Sequence, residues 1–502
     1  MQTNRILTTT CLALSLSRLP VKAENWPAWR GANQTGVSLE KNLPLTFDGT
    51  NNVRWHISLP GPGNSSPIVW GDRVFVSQFV PEEKQRALLC FDRTNGKKLW
   101  QAGTVYTESE QTQENNPYCA GTPATDGKLV YVCYGSAGVY AYDFTGKEVW
   151  HRDLGKISHM FGNAVCPVLH GDLCFLNFGP DSKARLVALD TATGKTVWEA
   201  EPPKIDPSEE PQMRGPGGPG GPPPGGFGGP QPEGGPSDAP PIRRPQGPGG
   251  PPPGSADLAG GPVNNGGPGG PGGPGGPGGF RPPGGRGMGR PGGASWSTPV
   301  IVTVQGHDEL VVNFPSRLVA FDPATGHQLW TSKGVGGTVY STPAVGEGIL
   351  VGSSGGPGGG SAVAVKPGGT GDVSESQKVW HLDRVKSAIG SGVIYQGHLF
   401  TISQDGIASC LDTKTGSTVW EERLKGSTSR SSSWSSILLA EGRLYIPNQA
   451  GDVFVVEAGS TFHLLATNAV GEPTNASLAA SDGDIFLRTN QGLWCFASAR
   501  AQ

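Results

Sequence analysis

A chain of 502 residues with 16% charged side chains and a formal net charge of −3 has no basic field with which to hold nucleic acid or an anionic membrane surface through counterion release. Its 79 Gly and 46 Pro, about a quarter of the residues, require a low-complexity tract somewhere. The length suggests about three ordinary domains, although repeat folds exceed that size as single units.

The chain opens with Arg5, an apolar stretch from Ile6 to Leu16, and Val21-Lys22-Ala23, a small-residue cleavage pattern. Residues 1–23 therefore read as a secretory signal cleaved after Ala23, which makes the mature protein periplasmic or envelope-associated. The stretch is too short to span a bilayer and Arg18 closes it, while Cys11 lacks the flanking context of a lipid anchor. Residues 24–52 form an N-terminal extension carrying Trp26-Pro27-Ala28-Trp29-Arg30-Gly31.

Beyond it one pattern recurs: an apolar strand ending in Asp, a Thr-Gly-Lys-type turn, and an apolar strand ending in Trp. The copies run from Leu88 through Asp92 to Trp100, Val139 through Asp143 to Trp150, Leu186 through Asp190 to Trp198, Leu318 through Asp322 to Trp330, Ala362 through a longer turn to Trp380, and Ala408 through Asp412 to Trp420. A degenerate copy from Val453 to Glu457 ends at Leu464 or Leu465 in place of Trp. A second hairpin signal precedes each pair, as in Ser66-Pro67-Ile68-Val69-Trp70, Gly71-Asp72, Val74-Phe75-Val76. Each unit is then four short strands, and units about 40 residues long that bury their faces only against neighbours are propeller blades. The last unit, Ser477 to Phe496, supplies three strands; Val53-Arg54-Trp55-His56-Ile57 supplies the fourth and closes the ring. The expected fold is all-β: an eight-bladed propeller of four-stranded antiparallel blades, closed by an N-terminal strand. Blades 1–3 and the closing strand occupy 53–201, and blades 4–8 occupy 294–502.

The cleanest turn, Asp190-Thr191-Ala192-Thr193-Gly194-Lys195, uses Asp to bond the backbone two residues on and Gly to accept a positive φ. The Trp that follows offers a large apolar face and one N–H donor, suited to lying between blades. This motif resembles the tryptophan-docking motif of pyrroloquinoline-quinone (PQQ) repeat propellers over residues 53–201 and 295–497. The resemblance implies either of two functions: a non-catalytic scaffold, similar to the outer-membrane assembly factor of this architecture, or a PQQ- and Ca-dependent alcohol or sugar dehydrogenase. The family's dehydrogenases hold quinone and Ca²⁺ on the axis with a catalytic Asp, carboxylate and Asn ligands, and adjacent paired cysteines. No Cys-Cys dipeptide exists here, so the scaffold reading leads, with no cofactor, no metal and no catalytic residue assigned, and a protein or envelope partner.

Residues 202–293, dominated by Gly and Pro with Arg214, Arg243, Arg244, Arg281, Arg286 and Arg290, cannot bury enough apolar surface to fold and read as a disordered insertion. Cys90, Cys410 and Cys495, two before the repeat Asp or its equivalent, read as small buried residues. Cys119 with Cys133 about Asp126, and Cys166 with Cys174 about His170, are equidistant from their turns and would bridge if the turns centre there. Inner strands begin with small or hydroxyl residues, Ser65-Ser66-Pro67, Gly121-Thr122-Pro123, Ser297-Thr298-Pro299 and Ser341-Thr342-Pro343, read as axial packing. The face bearing the inter-blade loops gathers the polar candidates: Glu108, Glu110 and Glu114 in the loop 104–118, His159, Arg384 and Lys386, and Arg430 to Trp434. A hydrolase using these carboxylates and His159 lacks a Ser-His or Cys-His signature.

Overall fold

A computed structural model describes residues 24–181, 184–204, 295–356, 359–429 and 432–498. The expected signal at 1–23 and nearly all of the insertion at 202–293 lie outside the described residues. Eight sheets form the blades, each built on four antiparallel strands ordered from the axis outward; seven take them in chain order, the eighth takes its outer strand from the N-terminus, and blade 4 carries an added two-residue parallel strand at its edge. Middle strands such as Leu173–Phe178 and Arg185–Asp190 are buried on both faces because a neighbouring blade covers each side. That double burial is why they read as continuous apolar runs. Outer strands such as Thr196–Ala200 alternate, one face meeting solvent. The core is accordingly divided into inter-blade layers; one joins Tyr131, Ala141 and Trp150 of blade 2 to Cys174, Leu176, Val187 and Leu189 of blade 3.

Ring closure is as expected: Val53–Ser58 pairs antiparallel with Gly492–Ala497, opposing Trp55 to Cys495, and Arg54 bonds Asp484 at 2.8 Å. The repeat chemistry becomes legible in this register. Each docking Trp stands directly across from the small residue two before the Asp: Cys90 opposite Trp100, Ala141 opposite Trp150, Ala188 opposite Trp198, Cys410 opposite Trp420. The outer strand bulges by one residue just before the Trp, which leaves Val149 and Val197 about half exposed. It does not end at Trp either; Lys98–Val105 runs on past Trp100.

The indole N–H crosses to a turn carbonyl of the next blade, from Trp150 to Thr191 at 2.8 Å and from Trp198 to Pro323 at 2.9 Å. The turn glycine of that next blade lies against the indole: Gly194 has φ +68°, and a Cβ there would sit 2.5 Å from the Trp150 ring. Gly96 on Trp55 and Gly416 on Trp380 repeat the contact. Two blades depart from the expected pattern. Trp330 donates instead to Glu309 of its own blade at 2.8 Å, because the longer turn of blade 5 lays Gly371–Asp372 alongside the outer strand of blade 4. In blade 7 the docking position belongs to Ala466, opposite Val455, and not to Leu464 or Leu465; large and small have exchanged strands.

The cysteine pairings fail on register. Ala124 opposes Tyr131 and Val168 opposes Phe175, so the first turn centres beyond Gly127 and the second between Gly171 and Asp172. Cys119 then lies before the two-residue strand Ala124–Thr125, Cys174 opposes Leu169, and all seven described cysteines are buried free thiols. Cys90, Cys410 and Cys495 are each fully buried, as small core residues should be.

Candidate functional site

The inner strands build the axis. At the girdle position, two residues before the first residue of each inner strand, blades 1 to 8 carry Ser66, Thr122, Cys166, Thr298, Thr342, Ser391, Ser436 and Ser477. Their backbone N–H groups donate to the side chain of the next blade's equivalent: Ser477 to Ser66 at 2.9 Å, Ser66 to Thr122 at 3.0 Å, Thr122 to the Cys166 sulfur at 3.2 Å. Thr342 to Ser391 at 3.0 Å, Ser391 to Ser436 at 2.9 Å and Ser436 to Ser477 at 2.9 Å continue the ring on its other side. These residues were read as packing; they are small because space is short and hydroxylated because the unpaired edge N–H of each inner strand needs an acceptor. The Pro after several of them, as at Pro67 and Pro123, removes the next edge donor.

The extension 24–52 is threaded into this ring. Trp26 bridges Val69 of blade 1, Pro27 accepts from Thr125 of blade 2 at 2.9 Å, and Val37 bridges Leu439 of blade 7. Between these contacts the segment rises to girdle height, where the Trp29 indole reaches Thr342 at 3.4 Å. Arg30, only 3% exposed, donates to the carbonyls of Ser391 at 2.9 Å, Gly392 at 2.6 Å, Gln34 at 3.1 Å, and Thr35. Burial pulls this guanidinium down to about 9. Four carbonyl dipoles, with no carboxylate among these contacts, hold the cation, so the plug is specified by geometry and not by charge pairing.

On the loop face, the structure separates the residues that sequence placed together. Thr104 and Val105 belong to the outer strand of blade 1, so the loop begins at Tyr106. Glu110 is buried and ion-paired to Arg86 at 2.7 Å, with the guanidinium lying 4.5 Å and 4.6 Å from the Tyr106 and Tyr118 ring centroids. Glu108 meets Lys156, Lys386 meets Glu421 at 3.0 Å, Glu114 and Arg384 are exposed, and Arg430 lies outside the described residues. His159 packs edge-on to Trp296 at 4.8 Å, and burial lowers its pKa. Two carboxylates not singled out in the sequence are also engaged. Asp452, fully buried, accepts from the Ser427 hydroxyl at 2.6 Å and Asn448 at 2.9 Å; Glu472 accepts from Trp494 at 2.9 Å and from Thr489. Arg488, fully buried at the end of strand Asp484–Arg488, donates to the Ser77 carbonyl at 3.0 Å; like Arg86 and Asp452 it carried no local signal, since a buried ion inside an apolar strand looks like a surface residue at an edge.

This donor set was compared with what a quinone and its cation need. Ca²⁺ takes six to eight oxygens, several from carboxylates converging on one point. Here Glu110, Asp452 and Glu472 belong to different blades or loops and are each bonded to their own neighbours, and no three His, Cys, Asp or Glu side chains converge among the described residues. The residues present do not fit the pair. No helix among the described residues is long and apolar enough to cross a membrane.

Three comparisons bear on these observations. The family model described as outer membrane protein assembly factor BamB matches residues 42–111, 83–215 and 282–500. Polyvinylalcohol dehydrogenases from a Pseudomonas species and from Sphingopyxis are 25% and 24% identical over 192 and 195 residues. Each match takes in 35% of this chain and 29% or 28% of the relative, so the matched stretch spans less than a third of these curated relatives. Among solved structures, BamB from Moraxella catarrhalis superposes with a TM-score of 0.50 at 13% identity, covering 88% of this chain and 99% of that one. A quinohemoprotein alcohol dehydrogenase from Pseudomonas putida superposes at 0.55 and 12%, covering 95% and 81%. At these identities the superpositions speak for the fold alone.

Proposed function

The chain belongs to the family of the outer membrane protein assembly factor BamB, and from that premise we propose that it is an exported binding or assembly scaffold of the cell envelope, without catalytic activity, whose partner docks on the face bearing the inter-blade loops. The observation that carries this reading is the state of the buried or part-buried carboxylates Glu110, Asp452 and Glu472 on the loop face. A carboxylate acting as general base takes the proton of a substrate hydroxyl and needs a free lone pair aimed at the substrate. Glu110 is consumed by Arg86, Asp452 by Ser427 and Asn448, and Glu472 by Trp494 and Thr489. The Trp29–Arg30 plug reinforces it by filling the axis from the side opposite the loops up to the girdle.

The second reading, a PQQ- and Ca-dependent alcohol or sugar dehydrogenase, draws on the similarity to polyvinylalcohol dehydrogenases and to the quinohemoprotein fold, which weigh as much as the similarity to BamB. The deciding experiment is dye-linked oxidation of alcohols, aldoses and polyvinyl alcohol after incubation with PQQ and Ca²⁺. The scaffold reading expects no turnover. Oxidation that disappears on chelation and returns with calcium overturns it.

A further inference from the structure

We propose that the axial mouth on the loop face is a binding site for a neutral carbohydrate chain, with Trp296, Tyr340 and Trp434 as stacking platforms and Asn64, Gln449 and Asn475 as hydroxyl partners. The proposal deepens the scaffold reading and rests on it.

The residues two before the girdle form a second ring at the mouth, and chemistry divides it into two arcs. Blades 4, 5 and 7 carry Trp296, Tyr340 and Trp434; blades 8 and 1 carry Asn475 and Asn64. Trp296 stacks on Tyr340 with ring centroids 5.4 Å apart and planes 30° from parallel. The indole N–H of Trp296 is fixed to the Gly162 carbonyl at 3.1 Å and its edge is held by His159, so the platform is preorganised. Tyr340 and Trp434 are half-buried, and the Trp434 indole N–H has no partner among the described residues. A half-buried Trp ordinarily satisfies that donor, so one is left for a ligand.

The amide arc is held by the loop that joins blades 1 and 2. Asn64 and Asn475 both donate to the Asn115 carbonyl, at 2.8 Å and 3.1 Å, and Gln449 donates to the Asn475 oxygen at 2.7 Å. These bonds use the nitrogens and leave the side-chain oxygens of Asn64 and Gln449 without a protein partner among the described residues. A sugar matches both halves: its axial C–H face lies on an aromatic ring, and its hydroxyls donate to and accept from planar amides. The ring positions carry no Lys, Arg, Asp or Glu, so an anionic polymer finds no countercharge there.

The test is isothermal titration of the full chain with cellohexaose, maltohexaose and mannohexaose, a heparin hexasaccharide and a proline-rich peptide serving as competitors, alongside Trp fluorescence. At least one neutral hexaose should bind with a micromolar to millimolar constant and shift the emission. Trp296→Ala and Trp434→Ala should each weaken it by about tenfold or more, while Trp434→Phe, which keeps the ring face and loses only the indole N–H, should weaken it by about threefold. If W296A loses cooperative unfolding, Trp434→Ala and Gln449→Ala decide, because those side chains make at most one hydrogen bond among the described residues. No binding by any neutral hexaose at millimolar concentration, tighter binding of heparin or of the peptide, or affinity unmoved in folded Trp434→Ala, each overturns the site. Absence of binding leaves the scaffold reading standing; binding accompanied by calcium-dependent oxidation keeps the site and removes that reading.

Discussion

Two glycines of the same blade separate the strain of a turn from the contact it makes with a neighbour. Gly171 and Gly194 both adopt left-handed φ, +56° and +68°, but a Cβ on Gly171 meets nothing within 4 Å while one on Gly194 falls 2.5 Å from the Trp150 ring. The backbone term costs about 1–2 kcal/mol for either Ala substitution, and the stiffer unfolded chain returns about 0.4–1 kcal/mol. Gly171→Ala should therefore destabilise by about 1 kcal/mol. Gly194→Ala adds the overlap with the indole, about 1–3 kcal/mol for an overpacked site, for a total of about 2–4 kcal/mol. Urea unfolding followed by far-UV circular dichroism gives both values. In a Trp150→Ala background the excess cost of Gly194→Ala should vanish, the coupling a double-mutant cycle reports for residues in contact. Equal destabilisation by the two glycine substitutions, or an excess that survives removal of Trp150, would refute the claim that the turn is built around the indole.

Excising residues 205–294 and joining the ends with a short Gly-Ser linker should leave unfolding cooperative and the midpoint within a few degrees, because Trp198 already bonds Pro323 at 2.9 Å and Asn177 bonds Ser297 at 2.9 Å across the same junction; loss of the transition shows that the tract is structural. Arg30→Ala strands four carbonyls and should cost about 3 kcal/mol or more in thermal unfolding, with Arg30→Lys recovering only part, since one ammonium cannot match a planar fork. Stability should fall between pH 9 and 12: burial pushes Cys90, Cys119, Cys133 and Cys410 up to about 12, so the stabilisation from their neutral form is complete below the unfolded thiol value of 9.0 and is lost as pH rises through the folded one. Arg30 and Arg488, lowered by burial to about 9 and about 10, act in the opposite sense but are fewer, and a Cys90→Ala/Cys133→Ala variant should show a shallower alkaline slope in urea titrations.

Blade number, strand order and closure by Val53–Ser58 were readable because the same local grammar repeats and each copy checks the others. The small residue opposite each Trp was visible as Ala or Cys two before the Asp, although its purpose appears only when the strands are paired. What escaped was non-repeating. Arg30 meets Ser391 across 361 residues, and nothing near Trp26-Pro27-Ala28-Trp29 announces that the segment belongs inside a ring. The buried Arg86–Glu110 pair joins a middle strand to a loop, and a Glu among exposed Gln and Asn gives no sign of its burial. The cysteine pairings hung on turn register, which the sequence left open; the turns centre beyond Gly127 in blade 2 and between Gly171 and Asp172 in blade 3, and neither pair then meets.

Ring closure also dictates the order in which the molecule can be made. Blades 1 to 7 can assemble one after another as the chain leaves the ribosome, each new sheet covering the last. The partner of Trp55, Cys495, is 440 positions downstream by the numbering of its strand, and Arg54 waits 430 positions for Asp484. For nearly the whole of synthesis the first blade therefore presents an open flank, with Val53–Ser58 unpaired, while the plug must wait in turn for Thr342, Ser391 and Leu439 of blades 5 to 7. The last six strand residues, Gly492–Ala497, convert an open spiral into a circle, and a nascent chain stalled short of them would display adhesive edges at both ends of the spiral.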